Sequence, residues 1–319
     1  MKHKFNFINF SYFLELYKSK GCIRLRQLLN NLFILKECKL GDASSTVYLL
    51  KTNSKDGLII IDTGIGVNFK KKLNKIGLNP KNIKHCLITH SHIDHLQGCK
   101  NLMNINPDIR YYMHQKDVKP TEMVINKENN INFQITDSFK DEIYTLRLGS
   151  YNIKCIHIPG HTPGGMAFLT KVDKQNVLFA GDLCGGGINS LGGNHQNFKR
   201  SLQKLLDIKI DILCEGHMNI IEPTSEVIKY IKGCLKINDY LHIGFDLKPE
   251  NLENWYNLAL VYYQLKIYDN AYDACKYIID RNPEHSKAKD LLKKLQKNFS
   301  FTYEHRIEQN LKKIYGENY

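Results

Sequence analysis

The stretch Thr89-His90-Ser91-His92-Ile93-Asp94-His95-Leu96-Gln97-Gly98 places three histidines and an aspartate within six positions, in a chain with 13 histidines among 319 residues. Crowded imidazoles beside a carboxylate are the ligand set of a metal ion. On an extended or looped backbone, residues two apart point the same way, so His90 and His92 can reach one ion. Asp94 and His95 lie just beyond, at the expected start of a helix, from which they can reach a second. Such a centre needs further donors, and the chain offers three: His161 in Pro159-Gly160-His161-Thr162-Pro163-Gly164-Gly165, Asp182 in Phe179-Ala180-Gly181-Asp182, and His217 in Cys214-Glu215-Gly216-His217. A glycine stands beside each, which lets the backbone turn sharply there.

Working outward, short apolar runs precede the polar motifs. Leu58–Ile61 leads into Asp62-Thr63-Gly64, Cys86–Ile88 leads toward His90, and Val177–Ala180 leads into Gly181-Asp182. Runs of this length that end in glycine or polar residues read as buried strands. The chemistry then sits on loops at strand ends. Helices are expected over 66–76, 95–104 and 196–206. Strands alternating with helices make the fold class α/β, with packed layers.

Five motifs in this order, Asp62-Thr63-Gly64, the His90–His95 cluster, the 159–165 stretch, Gly181-Asp182 and Gly216-His217, resemble the metallo-β-lactamase superfamily of hydrolases. The resemblance runs from about Leu35 to Pro223. It implies an αββα sandwich of two mixed sheets with helices outside. It implies that His90, His92 and His161 hold one ion, that Asp94, His95 and His217 hold the second, and that Asp182 bridges them. Asp62 resembles the family's buried carboxylate that orients the ligand loops. Two divalent ions are expected, zinc first, with iron or manganese also suited to such N/O donors. They would bring the pKa of a bound water toward about 7, and Asp94 could take a proton during the reaction.

Departures from the pattern narrow the expectation. Asp182 argues against true β-lactamases, which place Cys, Ser or another residue there. Only 34 residues separate Asp182 from His217, too few for the inserted cap of the superfamily's nucleases. Ile93 replaces the glycine of its tRNA-processing members, and His92 the glutamate of its flavo-diiron oxygen reductases. An intact second site argues against persulfide dioxygenases. What remains is similar to glyoxalase-II-like and lactonase-like hydrolases, so a small thioester, lactone or ester is the expected substrate. The alternatives are a phosphodiester or nucleic-acid hydrolase and a repeat-mediated adaptor. Beyond Asp182, Cys184 reads as packing or as a neighbour of the site. The glycine-rich loop 185–194 reads as a surface loop or as a cover whose Asn189 and His195 meet substrate.

After Pro223 the texture changes. Residues 225–243 read as a helix. The pattern Trp255-x2-Leu258-Ala259-x2-Tyr262, with Ala271 and Pro283 following, resembles a tetratricopeptide repeat over about 252–285, with Cys275 in place of an aromatic. A cap helix is expected at 286–297. One repeat cannot bury its own face, so it should stack on neighbouring helices or a second subunit, and a protein partner or self-association is an open expectation. The domains are then an N-terminal extension, 1–30, a catalytic domain, 31–223, and a helical domain, 224–319.

Composition bounds the rest. No apolar run approaches the ~20 residues of a membrane span, and the basic, aromatic start is broken by Asn6, Asn9, Ser11 and Glu15 with no cleavage site after it. Nine cysteines without paired spacing imply reduced thiols and a cytoplasmic protein. The net charge of +13 falls almost wholly on residues 1–221, since 222–319 hold 15 Lys/Arg against 14 Asp/Glu. No arginine stripe with interleaved aromatics accompanies it, so solvated lysines account for it better than nucleic acid does.

Overall fold

The computed structural model describes residues 25–38, 44–52, 55–129, 131–218, 220–301 and 305–316. Two sheets lie face to face. The first is seven-stranded in sequence order: β1 (Arg26–Leu29), β2 (Leu32–Lys36), β3 (Val47–Lys51), β4 (Leu58–Ile61), β5 (Ile83–Leu87), β6 (Arg110–His114) and β7 (Asp137–Phe139). It is antiparallel from β1 to β4 and parallel from β4 to β7. The second runs β12-β11-β10-β9-β8, from β8 (Ile143–Leu148), β9 (Tyr151–His157), β10 (Met166–Val172), β11 (Gln175–Gly181) and β12 (Ile212–Glu215), with only β11 and β12 parallel.

Strand periodicity divides the core. In β4, Ile59 and Ile61 enter the layer between the sheets, where Phe168, Val177 and Phe179 meet them. Leu58 and Ile60 point to the other face, against Phe69, Leu73, Leu96 and Leu102. Residues of a strand buried on both faces must all be apolar, which is why β4 reads Leu-Ile-Ile-Ile. The outer face of the second sheet packs Leu178, Ala180 and Leu213 against Phe198, Leu202 and Leu205. The architecture is therefore helix, sheet, sheet, helix, as expected.

On the first sheet lie α1 (Phe69–Lys75), α2 (Ile93–Leu96), α3 (Cys99–Met103) and α4 (Gln115–Asn129). The single helix expected over 95–104 is two short ones. At the break, Gly98 N–H donates to Gly64 O at 2.9 Å, so the chain is pulled onto the Asp62–Gly64 turn, where a side chain at Gly98 would collide with Thr63. On the second sheet lies α5 (His195–Leu206), whose N-terminus is capped by the Asn194 side chain accepting from Asn197 N–H. Strand β1 begins at Arg26, inside the segment read as an extension. Residues 1–24, the larger part of that segment, lie outside the described residues.

The described residues of the C-terminal region form helices and no strand: α6 (Thr224–Leu241), a π-helical turn (His242–Leu247), α7 (Leu252–Gln264), α8 (Tyr268–Arg281), α9 (Ser286–Asn298) and α10 (Arg306–Tyr315). The α7–α8 hairpin packs Trp255, Leu258, Ala271 and Ile278 inward, with α6 on one side and α9 and α10 on the other. Its face is covered within the chain. One continuous apolar cluster runs from the second sheet through α5 and α6 to Trp255 and Leu311, so the helices are joined to the sandwich by core and not by a linker. No described helix is long and apolar enough to cross a membrane.

Candidate metal centre

All seven expected donors converge at the strand ends. One group is His90, His92, His161 and Asp182, the other Asp94, His95 and His217, with the donor atoms of each group within 4.8 Å of one another. Asp182 touches both. Its Oδ1 is 3.1 Å from His95 Nε2, while its Oδ2 is 3.5 Å from His161 Nε2 and 3.4 Å from His217 Nε2. Asp94 Oδ2 lies 3.0 Å from His217 Nε2, and His92 Nδ1 lies 3.0 Å from His161 Nε2. Atoms that bind one ion at about 2 Å are spaced about this far from each other.

The outer hydrogen bonds decide which nitrogens face inward. Asp62 Oδ2 accepts from His95 Nδ1 at 2.7 Å and from Thr89 Oγ1 at 2.8 Å. Thr89 Oγ1, its proton committed to Asp62, is left to accept from His90 Nδ1 at 3.0 Å. His161 Nδ1 donates to Gly186 O at 2.9 Å. Each ring is thereby held with its Nε2 lone pair toward the centre. His90 Nε2, His95 Nε2 and Asp182 Oδ1 are buried with no hydrogen-bond partner among the described residues. Buried acceptors without donors are costly, and divalent ions would satisfy them. The donor set fits two such ions.

The carboxylates make the centre a place that favours positive charge. Burial disfavours charge on Asp182, but His217 and His95 override it and hold the carboxyl well below the ordinary range. Asp94 is likewise driven down to about 2 by His95 and His217 against its burial. Burial also opposes charge on His95, yet Asp182, Asp94 and Asp62 raise its pKa well above the usual value. His90, buried and crowded by other imidazoles, is pushed down; His92, on the exposed side of the cluster, is lowered to about 4 by the desolvation of its ring nitrogens within the cluster and by His161.

Local backbone explains the aim of these groups. Asp62 is in the left-handed region, φ 53°, an uncommon choice for a residue with a side chain. Its N–H donates to Leu87 O, and its carboxylate is turned back under the histidine loop.

Two further buried carboxylates were not singled out in the sequence. Asp117, near the start of α4, accepts from Ser91 N–H at 3.0 Å, Thr162 Oγ1 at 2.6 Å and Gly164 N–H at 2.7 Å. It ties the His90–His95 loop to the loop of His161. Glu215 Oε1 accepts from Leu183 and Cys184 N–H, and Oε2 from His217 N–H, which ties the loop of Asp182 to that of His217. Asp117 and Glu215 each brace two ligand-bearing loops, while Asp62 holds only the histidine loop. The Asp117 signal was faint, an isolated acid in a helix. Glu215 could have been found as a charged residue ending an apolar strand.

Asn189 and His195, expected to meet substrate, make bonds within the fold. His195 Nε2 pairs with Asp239 Oδ1 at 2.8 Å and its ring stacks on His242 at 4.2 Å. Asn189 N–H donates to Asp246 Oδ2, and its Oδ1 accepts from His195 N–H. His195 Nε2 and Asn189 Oδ1 thus help brace the glycine-rich loop on α6 and the π-helical turn. Cys184 is buried; burial and the neighbouring Glu215 push its thiol well above the ordinary value.

The profile of the "Metallo-beta-lactamase superfamily" matches residues 40–217, more than half of the chain. The chain belongs to the metallo-beta-lactamase superfamily. Among curated proteins, it is 34% identical over 164 residues to a hydroxyacylglutathione hydrolase of Buchnera aphidicola, 50% of this chain and 57% of that one. It is 30% identical over 193 residues to thioesterase PkgB of Emericella nidulans, 59% of this chain and 50% of that one. The matches therefore span little more than half of either relative's own length. A subclass B3 metallo-beta-lactamase of Bradyrhizobium japonicum superposes with a TM-score of 0.55 at 21% identity, covering 70% of this chain and 95% of that one. At that identity the likeness is one of fold.

Proposed function

We propose that the chain is a metal-dependent hydrolase of a small thioester, lactone or ester, with thioesters first. The observation that carries the reading is Asp182 standing between two histidine sets whose ring nitrogens are turned inward. His90, His92 and His161 would hold one divalent ion, Asp94, His95 and His217 the other, and Asp182 both. Zinc is the first choice, with iron or manganese as alternatives. Such a pair supplies Lewis acidity and a water that ionises near neutral pH.

The chain's own residues then divide the work. Asp182 and His95 are enclosed, with side-chain exposures of 12% and 0%, while Asp94 keeps 23%. Asp94 is thus the carboxylate that can pass a proton between the site and solvent. No cysteine nucleophile is called for, since Cys184 is buried and held as the thiol. The thioester preference draws on the relatives named above, a hydroxyacylglutathione hydrolase and a thioesterase. The tetratricopeptide likeness of 252–285 rests on the sequence pattern; a protein partner for it is a separate proposal.

The test is initial rates of the zinc-loaded chain on an S-acyl thioester, an acyl lactone and an activated phosphodiester, with Asp94→Ala as control. Thioester or lactone turnover that disappears in the variant supports the reading. Turnover of the phosphodiester alone overturns it and gives the basic charge of residues 1–221 a purpose.

A further inference from the structure

The outer partner of His161 is not a side chain but the carbonyl of Gly186, 2.9 Å from Nδ1. The other end of that same peptide unit, Gly187 N–H, donates to Asn238 Oδ1 at 2.9 Å. Asn238 lies in α6, the first helix of the C-terminal region, and is 1% exposed. Its Nδ2 donates to His195 O at 3.1 Å. The amide orientation is forced, because Gly187 N–H can only donate and His195 C=O can only accept.

One peptide plane therefore joins a ligand of the metal centre to the helical region. Its surroundings permit little else. Gly186 is in the left-handed region at φ 67°, and a side chain there would press on Leu241 of α6. A side chain at Gly185 would meet the His161 ring itself at 2.7 Å. The three consecutive glycines are what let the loop pass between His161 and α6.

We propose that Asn238 is a positioning residue for the metal centre, acting on His161 through the Gly186–Gly187 peptide. The inference rests on the metal reading above and deepens it: the helical region sets the affinity of one metal site. A hydrogen bond accepted from Gly187 N–H polarises the peptide and makes Gly186 O a better acceptor. A stronger acceptor holds the His161 ring in place and raises its basicity as a ligand. Asn238→Leu keeps the volume and removes the acceptor. Asn238→Asp keeps an oxygen facing Gly187 N–H.

The experiment is stepwise cobalt(II) and zinc titration of the metal-free full chain against a chromophoric chelator, following the cobalt d–d spectrum, with thermal unfolding of the metal-free variants alongside. For Asn238→Leu, binding at the His90/His92/His161 set should weaken about tenfold, the scale of lost outer partners. The Asp94/His95/His217 set should keep its affinity. Asn238→Asp should bind at least as tightly as the native chain. A structural role alone would weaken both sets together, in step with the unfolding temperature, and that result overturns the proposal. Two native-like sites in Asn238→Leu overturn it as well. Should Asn238→Leu fail to fold, a folded Asn238→Asp with a tenfold looser first set overturns it. A native chain that takes up no metal overturns the metal reading, and this coupling with it.

Discussion

His95 Nδ1 and Asp62 Oδ2 stand 2.7 Å apart, both buried, and the same carboxylate takes the Thr89 hydroxyl and the Thr89 N–H. Three donors from the histidine loop thus end on one side chain. Asp62→Asn keeps the shape, and asparagine tolerates the left-handed backbone. An amide cannot satisfy all three donors, however, so at least one is left unpaired. Asp62→Asn should lose about 1–3 kcal/mol of stability and about 10- to 100-fold in metal affinity. Asp62→Gly restores the backbone but not the acceptor, and should bind metal no better. Urea unfolding of the metal-free chain and metal titration measure the two effects separately. Native-like binding in Asp62→Asn would refute the orienting role.

Asp117 makes the equivalent case for the other loop. Ser91 N–H, Thr162 Oγ1 and Gly164 N–H all converge on a carboxylate with no exposure. Asp117→Ala strands these donors and should cost about 2–4 kcal/mol. Gly164→Ala should echo it more weakly, because the new methyl would press on the Asp117 carboxylate at 2.7 Å. Both variants should slow turnover without any change in a metal-ligating side chain. If the unfolding midpoint of Asp117→Ala matches the native one, the bracing role is wrong.

These bracing residues mark where the sequence stops being legible. The seven donors could be read because each stands in a short motif with glycine or histidine neighbours at a strand end. The sandwich followed from apolar runs such as Leu58–Ile61, whose length and placement leave little choice. Asp117 sits 26 positions from Ser91 and 47 from Gly164. Nothing local distinguishes it from a solvated helix acid, and only the folded loops bring its three donors to it. Asn238 is a partial exception. It lies on the stripe of Ile231, Cys234 and Leu241, all buried, and an amide on an apolar stripe must find partners. How Asn189 and His195 are held was not legible, because a glycine-rich loop next to a ligand looks open. The acids that claim it, Asp239 and Asp246, lie more than 40 positions on.

Acid sensitivity should have a source outside the metal centre. His114 is buried and stacked flat on His157 at 3.9 Å, with Lys116 and Glu142 also near. Burial, then His157 and Lys116, lower its pKa to about 4. The folded value lies below the unfolded value of about 6.5, so between them the unfolded chain binds the extra proton. Stability from this group is full above about pH 6.5 and is lost as pH falls toward about 4. His114→Phe keeps a ring against His157 and removes the titration. Its urea midpoint, measured without metal from pH 7.5 to 4.5, should fall less steeply than that of the native chain. Parallel curves would place the acid sensitivity elsewhere.

The single tryptophan offers a test of whether the helices and the sandwich are one cooperative unit. Trp255 is fully buried, its Nε1 donating to Pro249 O at 2.8 Å and its ring meeting Phe245 and Tyr277 edge-on. The apolar cluster around it continues without a break to Leu178 and Leu213 of the second sheet. A shared core means that neither part can expose its inner face alone without losing the other's contacts. Tryptophan fluorescence and far-UV circular dichroism should therefore report one transition with a common midpoint. Gly244→Ala sharpens the test, because a methyl there would meet the Trp255 ring at 2.5 Å. Overpacking of this kind should remove about 1–3 kcal/mol, and it should move both probes by the same amount. A fluorescence transition that precedes the loss of sheet signal would show the helices melting on their own. The path from Asn238 to His161 would then have to break first, and the metal site on that side should loosen at the lower midpoint.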